Sequence, residues 1–253
     1  MNAALASIWL APYHKCNGRA RIRLFCLPYA GGSASVFVRW GSLLPPEIDV
    51  CPVQLPGREN RLGEPCYASV TQAAEAAAQG LEPYFDMPFS FFGHSLGALV
   101  AYELCQTLQR FGKSGPQHLI VSAHRAPHLA LPHEPTWQLD EAQFKSRLQE
   151  LNGTPKEVFQ HPELLALVLP LLRADFRLDE TYTHGIDRPL LNCPITVVGG
   201  RQDSEIPESD LQAWGAVTRG RFELKMIDGD HFFIHTSSTK VTQLVNQIMQ
   251  RCR

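Results

Sequence analysis

The sequence lacks a regular arrangement of cysteines. Its seven cysteines are an odd number, they are scattered along the chain, and none stands in a Cys-x-x-Cys pair. Disulfide frameworks and zinc sites depend on paired or regularly spaced cysteines, so the pattern favours neither of them. We therefore expect reduced thiols and a cytoplasmic location.

Long apolar runs and an excess of one charge are also absent. No stretch approaches the roughly 20 apolar residues that a membrane span requires, and the N-terminus lacks the basic region of a signal peptide. The formal net charge of −2 gives no concentrated basic surface for phosphate groups. These absences predict no membrane partner and no nucleic-acid partner.

The 253 residues, 44% of them hydrophobic, are typical of one globular domain, and we expect a single domain over residues 1–253 that acts as a monomer. Short apolar runs alternate with helix-length segments, which predicts an α/β fold with a mostly parallel central sheet flanked by helices. The predicted strands are Arg21–Leu27, Ile48–Gln54, Phe89–Phe92, His118–Val121, Ile195–Val198 and Phe222–Ile227. The predicted helices are Ser33–Leu44, Ser69–Tyr84, Leu96–Phe111, Pro207–Val217 and Thr236–Met249.

One region interrupts this alternation. More than sixty residues separate Val121 from Ile195, with helical patterns at Asp140–Leu151 and Pro162–Asp179. A structureless loop of that length is uncommon in a compact domain. The region therefore predicts a helical lid, about residues 127–190, inserted before the penultimate strand, whose leucines pack on the sheet domain or line an acyl pocket.

The chemistry starts at Ser95, in the motif Gly93-His-Ser-Leu-Gly97 between a predicted strand and a predicted helix. This is the setting of a nucleophile elbow, where a sharp turn projects the serine above the sheet and glycines relieve crowding. The motif predicts an α/β-hydrolase fold and a serine nucleophile.

A serine hydroxyl needs a base, and His231 follows the last predicted strand, where its loop reaches the carboxyl edge of the sheet. Two other histidines compete less well. His235 lies four residues further on, and His94 precedes the nucleophile and should point away from it. We expect both of these to serve packing or the surface, and we expect His124, at the approach to the predicted lid, to be exposed to solvent.

The residue that orients the base is predicted to be Asp203, which follows the strand Ile195–Val198 and leaves from the same edge. Asp175 and Asp179 in the lid are the alternatives. Asp228 and Asp230 lie in the loop of the histidine and are expected to shape its turn.

The reaction also requires donors for the developing oxyanion. The segment Leu27-Pro-Tyr-Ala-Gly-Gly-Ser33 has a flexible composition that exposes its backbone. We assign the oxyanion hole to the backbone N–H groups of Ala30 and Leu96.

With these motifs together, the sequence resembles the type II thioesterases, free-standing editing enzymes of nonribosomal peptide and polyketide synthases. The resemblance rests on the order of four motifs over nearly the whole chain: Leu27-Pro-Tyr-Ala-Gly-Gly-Ser33, Gln54-Leu-Pro-Gly-Arg-Glu59, Gly93-His-Ser-Leu-Gly97, and Gly199-Gly-Arg-Gln-Asp203 with Asp230-His-Phe232. It implies that the chain hydrolyses acyl or aminoacyl groups from the phosphopantetheine arm of carrier proteins through an acyl-serine intermediate. Such a mechanism needs no metal or organic cofactor.

Two other functions remain open at this stage. A small-molecule carboxylesterase or lipase would use the same residues, and a non-catalytic binding protein could use the same fold. Arg58 and Glu59 match the family loop without an assigned task, and a structural ion pair or turn is the expected role.

Overall fold

The computed structural model describes residues 8–15 and 17–252. Within these residues six strands form one parallel sheet in the order β2-β1-β3-β4-β5-β6. The strands are β1 (Ile22–Leu27), β2 (Ile48–Pro52), β3 (Phe89–His94), β4 (Leu119–Ser122), β5 (Ile195–Gly200) and β6 (Phe222–Ile227). The predicted fold class is confirmed, and each predicted strand overlaps an observed one.

The same residues contain nine α-helices. They are α1 (Trp40–Leu43), α2 (Val70–Leu81), α3 (Leu96–Arg110), α4 (Glu141–Leu151), α5 (Lys156–Gln160), α6 (Pro162–Glu180), α7 (Glu208–Gln212), α8 (Phe233–Thr236) and α9 (Ser238–Gln250). None of the helices in this described part is both long and apolar enough to cross a membrane.

Two of the predicted helices are wrong in detail. Over Ser33–Leu44 the chain forms a 3-10 turn, Ala34–Phe37, followed by the short α1. Its buried residues Ala34, Phe37 and Trp40 are three apart, which suits the three-residue period of a 3-10 helix. Over Pro207–Val217 the helix α7 likewise gives way to a 3-10 turn.

Strands β1 to β5 are buried on both faces because helices cover both. In β3, Phe91 belongs to the core cluster under α2 and α3, and Phe92 belongs to the cluster on the opposite face with Trp40 and Val245. Adjacent side chains of a strand point to opposite faces, so these strands are apolar at most positions. This arrangement fixes the carboxyl ends of the strands at one edge.

The described part of the N-terminal segment packs on this core. Leu10 forms an antiparallel bridge with Val53, and Trp9 is buried, with the Arg61 guanidinium over its ring. Trp9 also lies against Gly80 of α2, where a Cβ would meet the indole at 1.9 Å. These contacts give residues 8–15 a structural role that the motifs did not predict.

Between β4 and β5 the chain forms the inserted segment, which carries α4, α5 and α6. Its own small core contains Phe144 and Leu148 of α4 and Leu172 of α6. Helices α4 and α6 lie within one residue of the predicted bounds, whereas α5 was not predicted. Pro170 stands inside α6 and cannot donate the hydrogen bond that a helix interior normally uses there.

Candidate active site

Ser95 stands at the turn from β3 into α3. Its φ of 52° lies in the left-handed region, which is rare for a residue with a side chain. The Ser95 N–H donates to the carbonyl oxygen of Ser122 at 2.7 Å, which ties the turn to the end of β4. The strained turn is thus held by the sheet beside it.

Gly93 and Gly97 make this turn sterically feasible. A Cβ on Gly93 would lie 2.2 Å from the carbonyl oxygen of Gly97, and a Cβ on Gly97 would lie 2.2 Å from that of Leu27. Both clashes involve backbone atoms, which cannot rotate away. Only glycine therefore fits at either position.

His231 lies between β6 and α8, and its ring reaches both predicted partners. Its Nε2 is 3.1 Å from Ser95 Oγ, and its Nδ1 is 2.9 Å from Asp203 Oδ2. A carboxylate only accepts, so Nδ1–H donates to Asp203 and Nε2 is left to accept from the serine hydroxyl. The structure thus brings the three predicted side chains into one hydrogen-bonded chain.

The Asp203 carboxylate is fixed by its own loop. Its Oδ1 accepts from the N–H groups of Glu205 and Ile206 at 2.9 and 3.3 Å. The side chain is only 1% exposed. These bonds occupy one oxygen and direct the other at His231.

The alternative acids have other partners. Asp175 pairs with Arg58, and Asp179 accepts from His124 Nε2 at 2.8 Å. The two carboxylates in the loop of the histidine act locally, since Asp230 accepts from the N–H of Phe232 and Asp228 pairs with Lys240. Among these four, none makes a hydrogen bond to the ring of His231 in the described part of the chain.

His94 is fully buried beside the site. Its Nε2 lies 3.0 Å from the backbone oxygen of His231, and its Nδ1 lies 2.8 Å from Ser122 Oγ. Burial lowers the pKa of His94 well below its usual value, and the neighbouring His231 lowers it further. The expected packing role therefore includes a contact to the backbone of His231.

Two further histidines are positioned by hydrogen bonds. His235 lies 2.8 Å from the Tyr29 hydroxyl, and burial lowers its pKa. The sequence suggested that His124, near the inserted segment, is exposed to solvent, and this was wrong. Its ring is buried, and its Nε2 donates to Asp179 of α6.

A pocket opens over Ser95, and its lining includes His231 and both residues of the predicted oxyanion hole, Ala30 and Leu96. The inserted segment forms the opposite wall through Leu148, Leu172 and other residues of α4 and α6. Ser95 Oγ therefore faces a cleft between the sheet domain and the inserted segment. A carbonyl group bound there would lie near the backbone of Ala30 and Leu96.

The motifs did not show what Arg58 does. Its guanidinium donates to both oxygens of Asp175, at 2.8 and 2.7 Å, and both side chains are almost completely buried. Glu59 accepts from the Ser33 hydroxyl at 2.6 Å. The expected structural ion pair exists, but its partner lies 117 positions away in α6, where no sequence motif marks it.

One group of metal-ligating side chains occurs in the described residues. His14, Asp49 and Cys51 bring one ligand atom each within 4.8 Å of the others. Asp49 also accepts from the Arg23 guanidinium at 3.2 Å, and this fixed positive charge opposes a cation. The contacts fit a buried hydrogen-bonded cluster that joins the N-terminal segment to β2.

Comparisons with known proteins agree with this geometry. The family model described as "Thioesterase domain" matches residues 22–252. The gramicidin S biosynthesis protein GrsT of Aneurinibacillus migulanus is 41% identical over 229 residues, which cover 90% of this chain and 89% of GrsT. Thioesterase PikA5 of Streptomyces venezuelae is 40% identical, with 91% of this chain and 81% of PikA5 covered.

Among solved structures, the chain is similar to YbtT, a type II thioesterase from the yersiniabactin NRPS/PKS biosynthetic pathway. The TM-score is 0.83 at 32% identity, and the match covers 94% of this chain and 96% of YbtT. Fold, sequence and length therefore match together.

Proposed function

The chain belongs to the thioesterase family as one of its type II members, and we propose that it releases acyl or aminoacyl groups from the phosphopantetheine arm of carrier proteins. Ser95, His231 and Asp203 are the proposed catalytic residues. The observation that carries the proposal is the hydrogen-bonded chain Asp203–His231–Ser95 at the floor of a pocket that the inserted segment covers. The inserted segment would act as the lid of this pocket.

The geometry supports a two-step reaction. Ser95 Oγ attacks the thioester carbon while His231 Nε2 takes the hydroxyl proton, and Asp203 stabilises the imidazolium without accepting that proton. The developing oxyanion accepts from the N–H groups of Ala30 and Leu96. The tetrahedral intermediate collapses, the C–S bond breaks, and His231 returns its proton to the thiolate.

The second step repeats the pattern with water. His231 removes a proton from a water molecule that attacks the acyl-serine ester, the bond to Ser95 Oγ breaks, and the serine recovers its proton from His231. The products are a free carboxylic acid and the carrier with its thiol. A thiolate leaves readily, so the leaving group needs less protonation than an amide would.

The first experiment compares Ser95→Ala with Ser42→Ala, a substitution at an exposed serine of α1. Carrier protein loaded with acetyl or aminoacyl groups is incubated with each variant, and release is followed by intact-protein mass spectrometry. Ser95→Ala should abolish release, and Ser42→Ala should retain it. Release by folded Ser95→Ala would contradict the proposal.

A second experiment separates a carrier-directed thioesterase from a general esterase. The same acyl group is offered on a carrier protein and as a simple ester, and kcat/KM is measured for both. A clear preference for the carrier substrate supports the proposal. Equal or faster cleavage of the simple ester favours the carboxylesterase or lipase alternative.

A third experiment addresses the non-catalytic alternative. An active-site fluorophosphonate should label Ser95 in the unaltered protein and leave Ser95→Ala unlabelled. Absence of labelling in the folded protein would favour a binding function.

A further inference from the structure

The inserted segment reaches into the loop that is proposed to hold the oxyanion. Asp175, in α6, is 1% exposed, and its Oδ2 accepts the N–H of Gly31 at 2.7 Å. Gly31 directly follows Ala30 in the chain. The Asp175 carboxylate of the inserted segment thus holds the backbone N–H of Gly31, the residue next to the proposed oxyanion donor Ala30.

Arg58 completes this attachment. It donates two hydrogen bonds to the Asp175 carboxylate, and its Nη1 also donates to the carbonyl oxygen of Gly32 at 3.0 Å. The Arg58 guanidinium therefore binds two groups at once: the Asp175 carboxylate, which holds Gly31, and the carbonyl of Gly32. Bidentate pairs of this kind fix orientation as well as distance.

The C-terminal end of the loop is held by Gln54, which also contacts Arg58. Gln54 Oε1 accepts the N–H of Ala34 at 3.0 Å, and Gln54 Nε2 donates to the carbonyl oxygen of Arg58 at 3.2 Å. The loop that carries Ala30 is thus held by polar contacts after Ala30 and at its exit.

Packing on Gly31 reinforces the polar contact. Gly31 has a φ of +75°, and a Cβ at this position would lie 2.4 Å from Cδ2 of Leu172, one turn before Asp175 in α6. Leu172 lines the pocket together with Ala30. Helix α6 thus contacts Gly31 both through a carboxylate and through an apolar side chain.

We propose that Asp175, held by Arg58, is a positioning residue that sets the Ala30 N–H in the direction of the reacting carbonyl. The inference rests on the proposed function, since it takes Ala30 as an oxyanion donor. It also links the inserted segment to the chemistry, because α6 of that segment holds the loop at Gly31.

The direct test is Asp175→Asn, which keeps the size of the side chain but leaves Arg58 without its charged partner. We expect kcat to fall about tenfold to a hundredfold, since a misplacement of about 1 Å can cost about a hundredfold. KM should change by less than about twofold, because Asp175 stabilises only the geometry used in the transition state.

The matched control is Glu103→Gln. Glu103 is also a buried acid, 2% exposed, which pairs with Arg188 and accepts from the Tyr182 hydroxyl at 3.0 Å, in a cluster that does not include Gly31. Active-site titration with a fluorophosphonate corrects both variants for misfolded protein. Glu103→Gln should lower Tm and leave kcat per active site within about twofold.

Inhibitor binding distinguishes positioning from general stability. A trifluoromethyl ketone, which forms a tetrahedral adduct with the serine, should bind Asp175→Asn more weakly by the same factor as the loss in kcat. A non-hydrolysable thioether analogue of the substrate should bind unchanged. Unchanged kcat, or equal losses for both inhibitors, would overturn the proposal.

If Asp175→Asn fails to fold, Arg58→Lys decides the matter. Lysine keeps the charge but cannot reproduce the fork that reaches Asp175 and Gly32 together, so kcat should again fall while thioether binding persists. Full activity of folded Arg58→Lys would refute the inference. Failure of the proposed function itself looks different, because the unaltered protein would then release no acyl group from the carrier or would cleave the simple ester at least as fast.

Discussion

His94 donates a hydrogen bond from Nε2 to the backbone oxygen of His231, at 3.0 Å. The carbonyl oxygen only accepts, so Nε2 carries the hydrogen and Nδ1 accepts from the Ser122 hydroxyl. The low pKa that burial imposes keeps this ring neutral. A residue next to the nucleophile thus holds the backbone of the proposed base.

His94→Phe tests this support. Phenylalanine fills a similar space but leaves the carbonyl of His231 without its donor, at a cost of about 1–3 kcal/mol for a buried polar group. We expect a lower Tm and a kcat reduced about tenfold, measured on a thioester substrate. His94→Gln, which can still donate, should recover part of both losses; equal activity of His94→Phe and the parent would contradict the role.

Asp203→Asn tests the orientation of the base. The amide cannot provide the carboxylate charge that stabilises the imidazolium, so kcat should fall by about three to four orders of magnitude. Asp228→Asn is the control, because its exposed side chain pairs with Lys240 and lies in the same loop as His231. A loss of less than tenfold in Asp203→Asn would assign the role to another carboxylate.

Gly153→Ala probes the contact between the inserted segment and the histidine loop. A Cβ on Gly153 would lie 2.2 Å from the ring of Phe232, the residue after His231. We expect the substitution to push residues 152–160 away from Phe232 and to speed their hydrogen exchange. Gly63→Ala, where a Cβ meets nothing within 4 Å, should leave exchange in this region unchanged.

Protection of residues 152–160 equal to that of the parent would show that Gly153→Ala is accommodated without displacement. Fluorophosphonate labelling of Ser95 serves as the check that the site remains folded.

The sequence predicted the parts of this site that local geometry imposes. The elbow could be predicted because Gly93 and Gly97 flank Ser95 in one short motif, although the contact that requires Gly97 is with Leu27 of β1. The order of strands placed Asp203 and His231 at one edge. The pairing of Arg58 with Asp175 could not be predicted, because it depends on how α6 packs across the loop after β1. The broken helix after Ser33 was missed because a period of three resembles a helical period.

Stability should depend on pH through buried histidines. Burial lowers the pKa of His118 to about 4 from 6.5, and its Nε2 lies 2.9 Å from Thr196 Oγ1. Between these values the unfolded chain binds a proton that the folded chain does not. The free energy of unfolding therefore falls as pH decreases through this window, by about 2 kcal/mol from His118 between pH 7 and pH 5.

Urea unfolding at several pH values measures this effect. His118→Gln should flatten the dependence between pH 7 and pH 5, although His94 contributes in the same direction. His161→Gln, at an exposed ring, should leave the dependence as it is in the parent. An unchanged slope in His118→Gln would show that this ring is not the source.

Pro170 separates a more exposed half of α6 from a more buried half. Ahead of it, Leu164 and Leu167 are 44% and 65% exposed, and behind it Leu172 and Asp175 are buried, with Asp175 bound to Gly31. The helix bends more easily at the proline, because Pro170 has no N–H to donate to the carbonyl one turn earlier. The residues of α6 that line the pocket, among them Leu172 and Phe176, all follow Pro170. Bending at the proline would therefore move the outer half of the helix while the pocket wall and the contact to Gly31 stay in place.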